Sequence, residues 1–212
     1  YYFDVPVTSV EVALKISGRD FDITQNRVTF PEGFTNKDMA KRLAASFEGF
    51  DEMSFLELTK NEQGYLFPDT YSFSPKVIPE AVIATLKKNF SNKTAHLEED
   101  FSKSKNSKKD IIIMASIIEK EANDGEEAKI VAGILWKRIS LGLPLQVDAP
   151  FLFLLGKTSA QLTAKDLAID SPYNTYKYKG LPPAPINNPG LASIEAALIS
   201  TESPYLYYLH DA

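Results

Sequence analysis

The chain has 212 residues, 44% hydrophobic and 24% charged, which allows one ordinary soluble domain or one domain with a small appendage. Its formal net charge of −5 argues against a nucleic-acid-binding protein, since such a protein would present a basic face. The absence of cysteine excludes disulfides and thiolate zinc sites, and His96 and His210 alone are a poor supply for a histidine-rich metal site or a Ser-His-Asp triad.

The N-terminal part of the sequence predicts a small β-α-β unit. A short strand is expected at the start, and Thr8 with Glu11 forms a capping box for a helix that Gly18 ends. The alternating stretch RVTF, residues 27–30, predicts the second strand. Because the chain opens with Tyr1 rather than Met, we expect an excised piece from which a signal or an anchor has been removed.

Capping signals and apolar stripes predict helices through the middle of the chain. Thr35 with Asp38 caps one helix, and Pro79 suits the first position of another. The aromatic stretch NEQGYLFPDTYSF, residues 61–73, contains glycine and proline and predicts a loop across the domain. The lysine-rich run FSKSKNSKKD, residues 101–110, predicts a solvated loop rather than a phosphate-binding patch.

Two helices are then expected almost back to back, followed by shorter helices in the last third. Ser107 with Asp110 caps the first, and Asp124 with Glu127 caps the second. Asn188 is the expected N-cap of the last helix. The apolar stripe of the second helix comprises Ile130, Val131, Ile134, Leu135 and Ile139. The elements together predict an α+β protein that is mainly helical, with few strands and long loops.

The stretch MASIIEKEAN, residues 114–123, places two glutamates at the end of an apolar helix. Helical neighbours lie three and four residues apart, so Glu121 continues the stripe of Ile117 and Ile118, whereas Glu119 lies toward a smaller, more polar face. A carboxylate among isoleucines is poorly solvated, which raises its pKa and suits it to general acid catalysis. Alternatively, the stripe ends at Ile118 and both glutamates are solvated, which is the simpler interpretation of this pattern alone.

Several sequence blocks make the catalytic interpretation much stronger. In chain order they are FPEGFT, GYLFPDTY, ASIIEKEA, GILWKRISLGLPLQVD, SPYNTYKYKGLPPAPINNPGLASIEAAL and PYLYYL. Together they resemble the endolytic murein transglycosylases, the MltG/YceG-like family of bacterial cell-wall enzymes, over nearly the whole chain. The resemblance implies a mainly helical, lysozyme-like catalytic domain with long loops at residues 34–212. It also implies that residues 1–33 are the remainder of a small β-α-β LysM-like subdomain.

The resemblance implies a reaction as well. Lytic transglycosylases cleave the β-1,4 bond between N-acetylmuramic acid and N-acetylglucosamine without water and leave a 1,6-anhydro end. The family's catalytic glutamate is the second one of the E-K-E tripeptide, which falls on Glu121, the residue that the apolar stripe favours. One glutamate can serve as both acid and base, with the substrate's acetamido group stabilising the cation-like centre. No metal or other cofactor is implied.

Two polar stretches supply candidate substrate contacts. LPLQVD, residues 143–148, follows a helix, where a polar loop can line a cleft, although its residues also suit turns and caps. SPYNTY, residues 171–176, offers groups for stacking on sugar rings and hydrogen bonding to acetamides, with a structural role as the alternative. Glu119 is included as a supporting residue. The candidate substrate-binding residues are therefore Glu119, Gln146, Asp148, Tyr173, Asn174 and Tyr176.

The chain departs from the family pattern in three places. LQVDAP stands where LQSDPT is usual, Ala184 replaces the glycine of PPGP, and the chain stops at YLYYLHDA, before a histidine-bearing block. We therefore expect the C-terminal end of the catalytic domain to be truncated. Two other functions stay open: a hydrolytic muramidase that uses Glu121 with Asp148 as a partner carboxylate, and a non-catalytic peptidoglycan-binding module.

The resemblance also implies where the protein works and what it meets. The expected substrate is the peptidoglycan glycan strand, and glycan polymerase or transpeptidase machinery stays open as a partner. No nucleic acid is expected. The implied location is the inner or cytoplasmic membrane, with the catalytic domain facing the periplasm or cell wall. No run of about 18 apolar residues is present, so contact with the membrane would depend on an anchor outside this sequence.

Overall fold

The fold is a helix-rich α+β arrangement with a two-stranded sheet, seen in a computed structural model that describes residues 8–18, 25–122 and 124–209. The helices are α1 (Ser9–Gly18), α2 (Asn36–Ser46), α3 (Glu52–Leu58), α4 (Pro79–Thr94), α5 (Glu98–Lys103), α6 (Lys108–Glu121), α7 (Gly125–Ser140), α8 (Ala149–Leu155), α9 (Ala164–Leu167) and α10 (Leu191–Leu198). The strands are β1 (Asn26–Thr29) and β2 (Thr70–Phe73). In the described part of the chain, no helix is long and apolar enough to cross a membrane.

The two strands pair antiparallel, with Asn26 opposite Phe73 and Thr29 opposite Thr70. The prediction of a loop over NEQGYLFPDTYSF is therefore wrong for its last four residues. Tyr71 and Phe73 alternate toward the interior, where they are 8% and 6% exposed. This two-residue alternation is the strand signal, and the glycine and proline before it belong only to the turn that leads into β2.

Four helices begin at the capping or proline residues from which the sequence predicted them. Thr35 and Asp38 form a complete capping box at the start of α2, and Pro79 is the first residue of α4. Ser107 and Asp124 each accept a hydrogen bond from the backbone amide three residues further on, at the starts of α6 and α7. Each cap satisfies one of the amides that a helix start leaves without an intrahelical partner.

The last helix begins later than predicted. The N-cap of α10 is Gly190, and its first residue is Leu191. Asn188 is fully buried instead, and its Oδ1 accepts hydrogen bonds from the backbone amides of Gly64 and Leu66 at 2.8 and 3.1 Å. Asn188 thus binds residues that lie 122 or more positions earlier in the chain. These long-range hydrogen bonds replace the helix cap that its sequence position predicted.

Two predicted surfaces also differ in detail. Ile130 is 45% exposed, because the buried face of α7 runs through Val131 and leaves Ile130 to one side. The lysine-rich run is only partly a loop, since Lys103 ends α5 and Lys108 begins α6. An ion pair of 2.5 Å between Lys108 Nζ and Glu98 helps to hold the two helices together.

The buried hydrophobic side chains form two clusters. One contains the sheet and the inner faces of α2, α3 and α4. The other is built around α6, whose residues 111–118 are all buried, and α6 packs against α7 and α10. The C-terminal end of α6, which carries both glutamates of the E-K-E tripeptide, therefore emerges from the interior of the protein.

The predicted boundary between residues 33 and 34 stays a prediction, as do the LysM-like and lysozyme-like descriptions of the two parts. Helix α1 begins at the capping box of Thr8 and Glu11, whereas the first predicted strand, in residues 1–7, lies outside the described residues. Val28 and Phe30 pack in the same cluster as α2 and α4. Strand β1 thus shares a core with residues beyond the predicted boundary.

Candidate active site

A cleft of about 540 Å³ opens at the C-terminal end of α6, and we call it the Glu121 cleft. Helix α6 contributes Glu121, α7 contributes Arg138, and the segment before α8 contributes Gln146 and Asp148. Tyr176 lies in the same lining. The structure therefore brings together four of the seven site residues that the sequence predicted, from three separate parts of the chain.

Glu121 is the last residue of α6 and is partly buried. Met114, Ile117 and Ile118, the residues that define its stripe, are fully buried. Its Oε2 accepts a hydrogen bond of 3.0 Å from the hydroxyl of Tyr208. Burial and the nearby carboxylate raise the pKa of Tyr208, so this hydroxyl remains a donor at neutral pH. A donor fixed on one carboxylate oxygen defines the orientation of the carboxyl group.

Asp148 is bound by Tyr176 across the cleft lining. The Tyr176 hydroxyl donates to Asp148 Oδ1 at 2.6 Å, and its ring packs edge-on against Phe151 at 6.0 Å. Burial, followed by the hydrogen bond and the charge of Asp148, raises the pKa of Tyr176, and the charge of Glu121 adds to the rise. The two carboxylates thus act electrostatically on the same tyrosine.

Gln146 has an unusual backbone and a charged partner. Its φ is +53°, a left-handed conformation that costs a residue with a side chain about 1–3 kcal/mol and is enriched at functional sites. Its Oε1 accepts a hydrogen bond of 2.5 Å from Arg138, which is 4% exposed. The guanidinium also donates to the carbonyls of Pro144 and Leu206. This buried cation therefore joins the two walls of the cleft.

A family model described as the YceG-like family matches residues 1–212. The chain belongs to the YceG-like family. Curated relatives include proteins named endolytic murein transglycosylase from Bacillus subtilis strain 168 and Streptococcus pneumoniae strain R6. The first is 35% identical over 200 residues, which are 94% of this chain and 51% of that protein. The second is 37% identical over 159 residues, which are 70% of this chain and 28% of that protein.

The fold has a counterpart among solved structures. A crystal structure of a YceG-like protein from Listeria monocytogenes, 31% identical, matches with a TM-score of 0.77 over 97% of this chain and 76% of that one. The family resemblance inferred from the sequence blocks is thus confirmed. The chain spans about half the length of the Bacillus relative and 28% of the Streptococcus relative.

Asn174 lies outside the lining of the Glu121 cleft in this YceG-like chain. It is fully buried, and its Nδ2 donates to the carbonyls of Leu167 and Ile169, both at 2.8 Å. Its Oδ1 accepts from the amides of Tyr176 and Lys177 at 3.0 and 3.1 Å. All of these bonds are to backbone groups, so the side chain shapes the loop that presents Tyr176 and has no exposed group for a sugar.

Tyr173 also faces away from the cleft lining, since its ring packs against Phe153 at 5.3 Å. Burial raises the pKa of Tyr173. Of the three residues proposed in SPYNTY, the structure therefore brings only Tyr176 to the Glu121 cleft. Alternate residues of the loop point in different directions, which the sequence pattern alone does not reveal.

Glu119 joins α6 to the start of α10. Its Oε2 accepts hydrogen bonds from the amide of Gly190 at 2.9 Å and from the hydroxyl of Ser193 at 2.7 Å. Burial raises the pKa of Glu119 in spite of these bonds, and the charge of Glu32 adds to the rise. The sequence predicted a raised pKa for Glu121, which stays a prediction, and did not predict one for Glu119. The rise at Glu119 was missed because its neighbours lie 71 or more residues further along the chain.

Residues 206–209 form a wall of the cleft that sequence reasoning did not assign to the site, and α7 holds the chain just before them. The Lys137 ammonium donates to the carbonyls of Ser203 and Pro204 at 3.0 and 2.8 Å, and the Arg138 guanidinium lies 4.9 Å from the Tyr207 ring centre. Two signals were available: the aromatic block PYLYYL, and an arginine at the position where the buried stripe of α7 continues. Across residues 8–18, 25–122 and 124–209, no group of three or more His, Cys, Asp or Glu side chains is placed to hold a metal.

Proposed function

We propose that this chain is the catalytic part of an endolytic peptidoglycan lytic transglycosylase and that Glu121 is its single general acid and base. The observation that carries the proposal is the position of Glu121, at the end of a buried helix and in one cleft with Asp148 and Tyr176. The names of the relatives support the same activity.

In the proposed reaction, Glu121 first protonates the oxygen that leaves C1 of N-acetylmuramic acid. The bond from C1 to the N-acetylglucosamine oxygen breaks, and the acetamido group of the substrate stabilises the positive charge at C1. The C6 hydroxyl then attacks C1 and gives its proton to the Glu121 carboxylate. The product carries a 1,6-anhydro ring, and Glu121 is protonated again without the use of water.

Neighbouring residues prepare Glu121 for both steps. The Tyr208 hydroxyl holds the carboxyl group in one orientation and stabilises the carboxylate that remains after the first proton transfer. In this proposal Asp148 and Gln146 position the substrate, since Tyr176 and Arg138 hold them at the cleft. We assign Glu119 and Asn174 structural roles, because their polar atoms serve neighbouring backbone and side-chain groups.

A hydrolytic muramidase is the second candidate, because Asp148 lines the same cleft as Glu121. A hydrolase of this type needs two carboxyl groups at a defined separation, one to protonate the leaving group and the other to activate water or bind the sugar. The bond between the Tyr176 hydroxyl and Asp148 favours a positioning role for this carboxylate.

Product analysis distinguishes the candidates. Purified glycan strands would be digested with the chain and with Glu121→Gln, and the ends identified by mass spectrometry. Anhydro ends that require Glu121 support the transglycosylase, and reducing ends with an added water support the muramidase. Intact strands that nevertheless bind the chain would support a peptidoglycan-binding module and contradict both enzymatic proposals.

In the cell, the proposal has the catalytic domain acting outside the cytoplasm, at the cell wall. The anchor in the membrane, the LysM-like character of residues 1–33 and an association with glycan polymerase or transpeptidase machinery belong to the same proposal. Fractionation of cells that produce the full-length protein tests the location. Recovery in the cytoplasmic fraction would contradict it.

A further inference from the structure

A second cavity, of about 480 Å³, lies between α2, α8 and the end of α6. Lys37 and Lys41 of α2 and Lys120 of α6 line it, and we call it the lysine cavity. In the described part of the chain, none of these three ammonium groups has a carboxylate within 4.0 Å. In a chain of net charge −5, this is a local concentration of positive charge, of which Lys120 also acts electrostatically on Glu119.

The acidic side chain in the lining of the lysine cavity is already in use. Asp38 accepts hydrogen bonds from the backbone amide and the hydroxyl of Thr35, at 3.0 and 2.6 Å, as part of the capping box of α2. Its carboxylate is therefore directed at the helix start. The electrostatic character of the cavity is set by the lysines, and it favours an anionic ligand.

Asn187 provides an independent sign that a ligand belongs in this cavity. It lines the cavity, is 1% exposed, and donates from Nδ2 to the carbonyl of Ser116 at 2.6 Å. Among the described residues its Oδ1 finds no hydrogen-bond partner. Buried polar atoms without a partner are uncommon in folded proteins, and a peptide N–H of a bound molecule would satisfy this one if the amide turned toward the cavity.

The opposite wall of the lysine cavity is apolar. Leu152, Phe153 and Leu155 of α8 line it and are 40%, 37% and 38% exposed, which is high for side chains of this type. A ligand that fits both walls carries carboxylates and small apolar groups together. Peptide N–H groups complete the match, and a short acidic peptide rich in alanine combines all three features.

The linings of the lysine cavity and the Glu121 cleft meet at two places along the chain. Lys120 lines the cavity, and the next residue, Glu121, lines the cleft. In the same way Ala149 lines the cavity, and Asp148, the residue before it, lines the cleft. Successive Cα atoms are about 3.8 Å apart, so the two linings come within one residue of each other at two points.

We propose that the lysine cavity binds the peptide attached to the muramic acid of a peptidoglycan strand, with its carboxylates on Lys37, Lys41 and Lys120. The inference rests on the proposed function of the Glu121 cleft and adds a substrate requirement to it. The enzyme then distinguishes peptide-bearing strands from bare glycan, and the preference weakens as salt screens the lysines.

The test compares two substrates and two pairs of substitutions. Glycan strands with their peptides, and the same strands after an amidase has removed the peptides, would be digested by the unmodified chain. A Lys37→Gln, Lys41→Gln double variant would be measured alongside Lys60→Gln, Lys88→Gln, a matched control at exposed lysines outside the cavity lining. We expect the first pair to lower kcat/KM on peptide-bearing strands by about three- to tenfold, the effect of two exposed charge pairs. Both pairs should leave cleavage of bare strands unchanged.

Two outcomes would overturn the inference, and a third would separate it from the proposed function. Equal cleavage of both substrates by the unmodified chain overturns it, as does an equal loss on both substrates in the lysine double variant. If the unmodified chain cuts neither substrate, the proposed function fails and binding decides the inference. A disaccharide with its peptide should then bind the unmodified chain more tightly than the peptide-free disaccharide, and equal affinities overturn the inference.

Discussion

At the scale of single residues, the two glutamates of the E-K-E tripeptide have different surroundings. Glu121 faces a cleft and a tyrosine hydroxyl, whereas Glu119 faces the start of α10. The helical stripe was enough to favour Glu121 from the sequence, since one face of α6 is apolar up to that residue. The partner of each carboxylate comes from a distant segment, so neither partner was predictable.

Glu121→Gln should abolish cleavage, because glutamine keeps the shape of the side chain but cannot transfer a proton. General acid or base groups are typically worth about 10²–10⁴-fold in rate. Glu119→Gln is the matched control two residues away, and it keeps an oxygen that can accept from Gly190 and Ser193. We expect it to retain most of the activity on purified glycan strands. An inactive Glu119→Gln with an active Glu121→Gln would reverse the assignment of the catalytic residue.

Tyr208→Phe should lower the rate while the fold persists, because only the hydroxyl that donates to Glu121 Oε2 is removed. A hydrogen bond to a charged group is worth about 1.5–3 kcal/mol, which corresponds to a loss of about tenfold to a hundredfold. This hydroxyl favours the charged carboxylate, so its loss should also move the alkaline limb of the pH–rate profile to higher pH. A slower enzyme with an unmoved profile would instead indicate a purely structural tyrosine.

At the scale of elements, the loop that carries Tyr176 depends on Asn174. Asn174→Ala should lower the free energy of unfolding by about 2–5 kcal/mol, since four hydrogen bonds of a buried amide are lost. Chemical denaturation monitored by circular dichroism measures the change. An unchanged stability combined with a raised KM would contradict the structural role and return Asn174 to the substrate-binding residues.

Glu119 lies at the contact between α6 and α10. Its titration should therefore make the free energy of unfolding depend on pH. Burial raises the pKa of Glu119 above its ordinary value of 4.5, so the folded state holds the proton more tightly than the unfolded state. The stabilising contribution of the protonated form is complete below that ordinary value and is lost as pH rises through the folded-state pKa. The difference in unfolding free energy between the unmodified chain and Glu119→Gln should therefore fall as pH rises above 4.5. A difference that grew with pH would contradict the assignment.

At the scale of the whole molecule, Asn188 links segments that are far apart in the sequence. Its Nδ2 donates to Phe34 and Asn36 near the start of α2, and its Oδ1 accepts from the segment that contains Gly64 and Leu66. These segments border the two hydrophobic clusters. This buried amide thus ties together segments that lie beside the two clusters.

Asn188→Ala should destabilise the chain by about 2–5 kcal/mol, because several buried backbone and side-chain groups lose their partner together. Asn92→Ala, at an exposed position of α4, is the control and should change the unfolding free energy by about 0.5 kcal/mol or less. Denaturation curves of both variants test this. Equal stability of the two would show that Asn188 does not carry the link.

The limits of sequence reasoning follow from the same contacts. Capping residues act on amides two or three positions away, so the starts of α2, α6 and α7 were predicted correctly. Asn188 was misassigned as a cap, and the pairing of β2 was missed, because their partners lie 41 or more residues away. The sequence predicted that Gln146 and Asp148, which follow the end of a helix, line a cleft. It did not predict that residues 206–209 form another wall of that cleft.

That wall is attached to α7 through its backbone carbonyls, whereas Tyr207 and Tyr208 also make side-chain contacts with Arg138 and Glu121. Lys137 and Arg138 bind the carbonyls of Ser203, Pro204 and Leu206, and every amino acid supplies a carbonyl. Tyr205, Tyr207 and Leu209 are 67%, 72% and 97% exposed. Substitution of an exposed rim residue such as Leu209 should therefore leave intact the backbone contacts that keep the Tyr208 hydroxyl on Glu121.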